Sequence, residues 1–295
     1  MLQEMAGLGF EYAELSHGIR ITLVPGILKA VEEGVIKIAS CHNFCPLPTG
    51  VTHAAPNLYM PSATDPRERD QWLRQSKRTI DFATQVGARK VVLHLGSVDF
   101  FWFNPSNKLD AYLEVHAGED LAKDLAYQKL LAKSLAKLRQ RMPLYWENTK
   151  ASLAALIAYA EPKGVLLGFE NRERFDELPL DADHPELITT LAKPAAYGYW
   201  HDTGHAQIKH DMGLLDHRGH LEKNASNAIG FHLHDVSVDG HDHQPIGSGK
   251  IDFDMVSSFW RPEHTLVLEF SPRLTTEQVL ASKQHVAELL AKRFG

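Results

Sequence analysis

The sequence predicts an α/β protein of the (β/α)8-barrel type, and three observations carry that prediction. Strand-like and helix-like segments alternate from end to end, the pattern that gives a parallel sheet. The apolar runs are short and bounded by turn residues, as strands buried on both faces are. Five of these runs end on residues able to bind a metal. They are Val91 to His94, Val165 to Glu170, Tyr197 to Asp202, Ile229 to His234 and Thr265 to Glu269. A carboxylate or imidazole at a buried strand end is costly unless it meets something charged. A divalent cation is the simplest such partner. The alternative is that each polar residue caps its strand in solvent, about an even choice for any one strand. That alternative must then hold five times with the same polarity.

The elements follow in order. Leu2 to Leu8 reads as the tail of a helix, Gly9 to Leu15 as a strand, and Leu23 to Glu33 as a short helix opened by Pro25. Val35 to Cys41 is the next strand. The proline-rich stretch Pro46 to Pro66 is too long for an ordinary connection and is expected to be a functional loop. Arg67 to Val86 has the apolar spacing of an amphipathic helix feeding the strand at Val91. Two helices are expected between His94 and Glu170, at Asp120 to Arg141 and Thr149 to Ala160, and a last one at Thr275 to Arg293. Strands ending near Glu14, His42, His94, Glu170, Asp202, His232 and Glu269 give a count of seven. A helix ahead of the first strand should itself follow a strand, so one βα strand is expected to be missing at the N-terminus. A naturally seven-stranded barrel is the alternative. No break in composition divides the chain, so a single domain over 1–295 is expected.

Composition removes several classes. With 44% hydrophobic and 23% charged residues the chain reads as soluble and globular. Its apolar stretches, such as Leu153 to Ala160, are too short to span a bilayer. No basic start with an apolar signal segment is visible, so a cytoplasmic location is expected. Cys41 and Cys45 cannot form a disulfide scaffold and read as reduced thiols. A formal net charge of −6 disfavours a nucleic-acid surface. A homo-oligomer stays open.

In a barrel the carboxyl ends of the strands form one face, and the active site lies there. Period-two alternation lets Glu170, Asp202, His232 and Glu269 all point into that mouth. Two or three carboxylates and one imidazole suit Mg, Mn, Co or Zn, with positions left for substrate oxygens. Such an ion on adjacent carbonyl and hydroxyl oxygens stabilises the charge that develops as a neighbouring C–H loses its proton. One carboxylate can take that proton and another can return it. Clustered metals activating water for phosphodiester hydrolysis need much the same shell.

Several segments resemble the xylose isomerase-like TIM barrels, a superfamily of ketose 3-epimerases, inosose-processing enzymes and endonuclease IV. They are Phe169-Glu170-Asn171, Asp202-Thr203-Gly204-His205, His232-Leu233-His234-Asp235 and Leu268-Glu269. The turn His243 to Phe253 resembles the family's H-x-P-x-G-x-G-x-I-D-F segment. The likeness runs from Gly9 onward. For the sugar epimerases it implies one divalent metal on Glu170, Asp202, His232 and Glu269, with Glu170 and Glu269 as acid and base on opposite faces of the sugar. For the endonuclease it implies more than one zinc, with His42, His94, His205 and His243 as further ligands. The endonuclease's aspartate two residues before His243 is His241 in this chain, with Asp242 one step out of register.

Other residues carry weaker expectations. Asn171, Arg172 and Arg174 are candidate substrate contacts, or members of a solvated loop. Trp200 either stacks on a sugar or belongs to the core. His234 and Asp235 are candidates to orient His232. His17, His184, His210, His217 and His220 are expected at the surface, as is the Lys-rich run Lys129 to Arg141. The function read from the sequence is metal-dependent isomerisation or epimerisation of a sugar, sugar acid or polyol derivative. The alternatives are a zinc phosphodiesterase, and a lyase that expels water after deprotonation.

Overall fold

A computed structural model describes residues 1–100, 104–116, 121 and 123–295. Helix α1 (Leu2–Gly7) leads into β1 (Tyr12–Leu15), followed by α2 (Val24–Glu32), β2 (Lys37–His42), α3 (Pro66–Gln85) and β3 (Lys90–Leu93). Then come α4 (Ser106–Val115), α5 (Leu125–Ala160), β4 (Leu166–Glu170), α6 (His184–Thr190) and β5 (Tyr197–Asp202). The chain closes with α7 (Thr203–Asp211), α8 (His217–Asn224), β6 (Ala228–Leu233), α9 (Phe253–Ser257), β7 (Thr265–Leu268) and α10 (Thr276–Phe294). Among the described residues seven strands form one sheet in chain order, matching the count expected from the sequence. No helix among the described residues is long and apolar enough to cross a membrane.

Two compact units make up the chain. The first comprises Met1–Gly96, Tyr145–Glu170 and Glu186–Tyr199, and the second Ser97–Leu144, Asn171–Pro185 and Trp200–Gly295. In the first unit β1 to β4 pair parallel, Leu15 opposite Cys41, His42 opposite Val92 and Leu93 opposite Phe169. Their apolar residues Val91, Leu93, Leu167 and Phe169 are fully buried. Helix α3 is well specified locally. Asp65 caps it by accepting the Arg67 N–H at 2.8 Å, Pro66 follows the cap, and Trp72, Ile80 and Ala83 form its buried stripe. In the second unit β6 pairs parallel with β7, Leu233 opposite Leu268. Thr275 and Gln278 form a capping box that starts α10.

One expectation is corrected. The sequence predicts two helices across 120–160, and α5 is a single helix that runs through Pro143. Residues 120 and 122 of that range lie outside the described residues. An interior proline costs roughly 3 kcal/mol. Burial of Leu138 ahead of it and of Tyr145 and Trp146 behind it holds both flanks in place. The helix α4 was not anticipated, whereas the exposed positions of Lys129, Lys133 and Lys137 agree with a solvated face.

Candidate metal centre

In the second unit the site begins at Asp202, the last residue of β5 and the cap of α7. Its Oδ1 accepts the His205 N–H at 2.7 Å, and its Oδ2 lies 3.1 Å from Nε2 of His234. Asn171 locks the strand end from the other side. The Asn171 amide donates to the Asp202 carbonyl at 3.0 Å and accepts the Asp202 N–H at 2.7 Å. Its side chain therefore serves the backbone of Asp202.

His232 near the end of β6 is fully buried, with Nδ1 3.0 Å from Oε2 of Glu269 and 3.8 Å from Oδ2 of Asp202. Trp200 packs edge-on against the His232 ring at 5.3 Å between centroids, which makes it a core residue rather than an exposed platform. Glu269 follows β7, and its side chain keeps 25% exposure, so this corner of the site is open to solvent.

The histidines beyond β6 form a second layer. His234 directs Nε2 to Asp202 rather than to His232, and its Nδ1 accepts the His243 N–H at 2.9 Å. Gly204 permits that approach, because a Cβ there would meet Cε1 of His234 at 2.1 Å. The His243 ring stacks on His234 at 4.3 Å, with Nδ1 3.0 Å from Asp242 and Nε2 3.9 Å from Glu269. Burial opposes a charge on His243, but the Asp242 and Glu269 carboxylates outweigh it and raise its pKa to about 11. Asp235 does not orient His232 either. Its carboxylate accepts the backbone N–H groups of Val236, Gly247, Gly249 and Ile251, and so shapes the glycine turn.

His205 lies on α7 with Nδ1 3.0 Å from the Asn171 carbonyl and 3.3 Å from Nη1 of Arg172. Arg172 is buried and places Nε on Glu177 at 3.1 Å. Glu173, His205 and Asp242 offer ligand atoms within 4.8 Å of one another. His241 stands apart, exposed and 3.4 Å from Asp239, outside every such group among the described residues. The displaced Asp242 thus takes the place expected of residue 241.

In the first unit Glu170 ends β4 with only 1% of its side chain exposed. His94 Nε2 lies 2.9 Å and His42 Nε2 3.5 Å from its Oε2. The loop ahead of α3 supplies Asn57, whose Oδ1 is 2.8 Å from Nδ1 of His94. His42 likewise sets Nδ1 3.0 Å from the Asn43 carbonyl. His42, His94 and His205 therefore share one arrangement. Each sets Nδ1 about 3 Å from an oxygen, and an Nδ1 proton given to that oxygen would leave the Nε2 lone pair available to a metal ion.

Some of this was not legible in the sequence. His17 lies 4.8 Å from the His42 ring, and Glu173 and Asn57 carry no motif that marks them. His184, His217 and His220, expected at the surface, are buried with His201, while His210 is exposed as expected. Their rings pack on one another, with Nε2 of His201 3.1 Å from Nε2 of His217 and the His184 and His220 rings 5.9 Å apart, and no periodic signal distinguishes a buried imidazole from a solvated one.

The donor set fits a divalent ion. Asp202 and Glu269 both approach the same nitrogen of His232, and two carboxylates held that close repel unless a cation joins them. Carboxylate oxygens with imidazole nitrogens suit Mg, Mn, Co or Zn.

Comparison with known proteins agrees with this geometry. The sequence profile described as Xylose isomerase-like TIM barrel matches residues 2–262. The chain belongs to that family. Its fold is accordingly a TIM barrel, with seven strands among the described residues. No match was found among curated proteins. Among solved structures it is similar to a D-tagatose 3-epimerase-like protein at 18% identity, over 98% of this chain and 92% of that one, with a TM-score of 0.65. L-ribulose 3-epimerase is 15% identical over 97% and 86%, TM-score 0.63. The IOLI protein with a binding zinc atom is 16% identical over 100% and 93%, TM-score 0.65. At these identities the likeness speaks for the fold.

Proposed function

We propose that this protein is a single-domain enzyme that isomerises or epimerises a sugar, sugar acid or polyol derivative with the help of a divalent metal. The observation that carries the reading is the cluster Asp202, His232 and Glu269 in the second unit, where two carboxylates approach one imidazole nitrogen; Glu170, buried at the end of β4 in the first unit, is the fourth donor the sequence leads one to expect. The family and the epimerase names of its solved neighbours point the same way. A bound ion would polarise neighbouring carbonyl and hydroxyl oxygens of the substrate and lower the acidity barrier of the adjacent C–H.

The chain's own residues supply the rest. Glu170 and Glu269 are the candidates to take the proton from carbon and to return it. His234 holds Asp202 in place, and Asn171 fixes the backbone that carries it. Incubating the metal-loaded protein with a panel of ketoses in deuterated water tests the reading. Deuterium should enter beside the carbonyl of at least one ketose, and Glu170→Gln should suppress it. No exchange across a broad panel would sink the proposal.

A second reading, zinc-dependent phosphodiester hydrolysis, is favoured by one observation. The groups His42/His94/Glu170 and Glu173/His205/Asp242 add donors beyond the core four. Metal analysis separates the two, since one equivalent supports the isomerase and three zinc ions with cleavage of abasic DNA support the hydrolase.

A further inference from the structure

A cavity of about 190 Å3 opens in the second unit between α4, α7 and the loop that follows β4. Leu113, Phe175, Ile208 and Met212 form its apolar wall, and Asp110, Glu173 and Arg174 add polar groups. The wall is braced. The Tyr127 hydroxyl donates to the Met212 carbonyl at 2.8 Å, and the Arg174 N–H donates to Glu177 at 3.0 Å. Asp110 is exposed on α4, and partial desolvation of its carboxyl, only partly offset by the Arg174 charge, lifts it above the ordinary range.

Size and lining restrict what this cavity can hold. An engineered cavity of roughly 150 Å3 lined by Leu, Ile and Phe holds benzene, so a six-membered ring fits here. A largely apolar wall with a few convergent polar groups is the usual make-up of a ligand site. Phe175 adds aromatic surface to the wall, and the carboxylates can accept hydroxyl protons. Position matters as much as size. Glu173 belongs both to the cavity wall and to the donor group with His205 and Asp242. Ile208 lies one turn beyond His205 on α7.

We propose that this cavity is a subsite for a second ring carried by the substrate, which makes the substrate a glycoside rather than a free monosaccharide. The inference rests on the proposed sugar chemistry and names the substrate class of that site. A sugar ring and an aryl aglycone share the chemistry required, a six-membered ring with an apolar face.

Binding measurements test it without needing turnover. Calorimetry on the metal-loaded protein would compare methyl and phenyl β-glycosides of glucose, galactose and mannose, with cellobiose as the two-sugar probe. At least one ring-bearing probe should bind ten-fold or more tighter than its methyl partner. Leu113→Trp, which fills the cavity from α4, should remove that advantage and leave the methyl glycoside unchanged. Ile208→Phe fills it from α7 and gives the same result if the first variant does not fold. A gain with cellobiose alone assigns a sugar ring, and a gain with phenyl glycosides alone assigns an aryl group; both support the subsite. Equal affinities for methyl and ring-bearing probes, or an advantage that survives in both variants, overturn it. Ketose exchange with no ring advantage removes the subsite and keeps the isomerase reading. No exchange and no binding of any glycoside removes both.

Discussion

The Nδ1 atom of His232 lies 3.0 Å from Oε2 of Glu269, and the register of two adjacent strands puts it there. His232 pairs with Val267 in the parallel ladder between β6 and β7. Glu269 stands two residues further, so its side chain leaves the sheet on the same face as Val267 and His232. Its own N–H closes the ladder on the Leu233 carbonyl at 3.2 Å. A one-residue slip would turn the carboxylate to the opposite face.

Glu269→Ala should therefore remove a metal donor and a proton carrier together. Metal content after dialysis, read by elemental analysis, should drop, and solvent deuterium exchange into a responsive ketose should fall on the order of 100-fold or more. Full metal retention with unchanged exchange would show that Glu269 has neither role.

His234→Ala should act through Asp202. With the Nε2 contact to Asp202 gone, metal affinity is expected to weaken about 10-fold to 100-fold, measured by competition with a chelating indicator. His234→Gln, which can still donate toward Asp202, should recover part of the loss. A purely structural role would lower the unfolding midpoint without changing metal affinity in the folded protein.

Stability should fall on acidification because of the buried histidines of α8. Burial, the largest cause, lowers the pKa of His217 from 6.5 to about 3 and that of His220 from 6.5 to about 4. The unfolded chain then binds more protons than the native one below the ordinary value, so the contribution is fully present above pH 6.5 and is lost as the pH falls toward the folded values. Each unit of separation is worth about 1.4 kcal/mol per group. Urea titrations at pH 7.5 and pH 5 should show the loss, and His217→Gln and His220→Gln should each flatten it. An unchanged slope in both variants would assign the acid sensitivity to other groups.

Gly230→Ala should destabilise the protein by roughly 1–3 kcal/mol through overpacking. A Cβ at that position would meet the Trp200 ring at 2.3 Å, and Trp200 is fully buried against His232. Denaturant unfolding checks the magnitude, and Trp fluorescence should report a displaced ring. A neutral substitution would mean that the ring has room to move.

The sequence by itself determined the barrel and its strand ends. Apolar runs such as Val91 to Leu93 can be satisfied only inside a parallel sheet, and that placement brings His94, Glu170, Asp202, His232 and Glu269 to one end of their strands. Local chemistry also fixed α3 and α10, whose caps and apolar spacing lie within a few consecutive residues. Tertiary structure decided the rest, because those contacts join residues far apart in the chain. It made α5 continuous through Pro143, since buried side chains on both sides outweigh the cost of the proline. It gave His205 the company of Asp242 and Glu173 instead of His241, because the turn after His234 directs Asp242 inward and leaves His241 beside Asp239. It moved Asp235 from a supposed partner of His232 to the anchor of the glycine turn, where four backbone N–H groups converge on one carboxylate. Residue type states which groups can bind a metal or a proton; only the packing of loops between strands selects which of them meet.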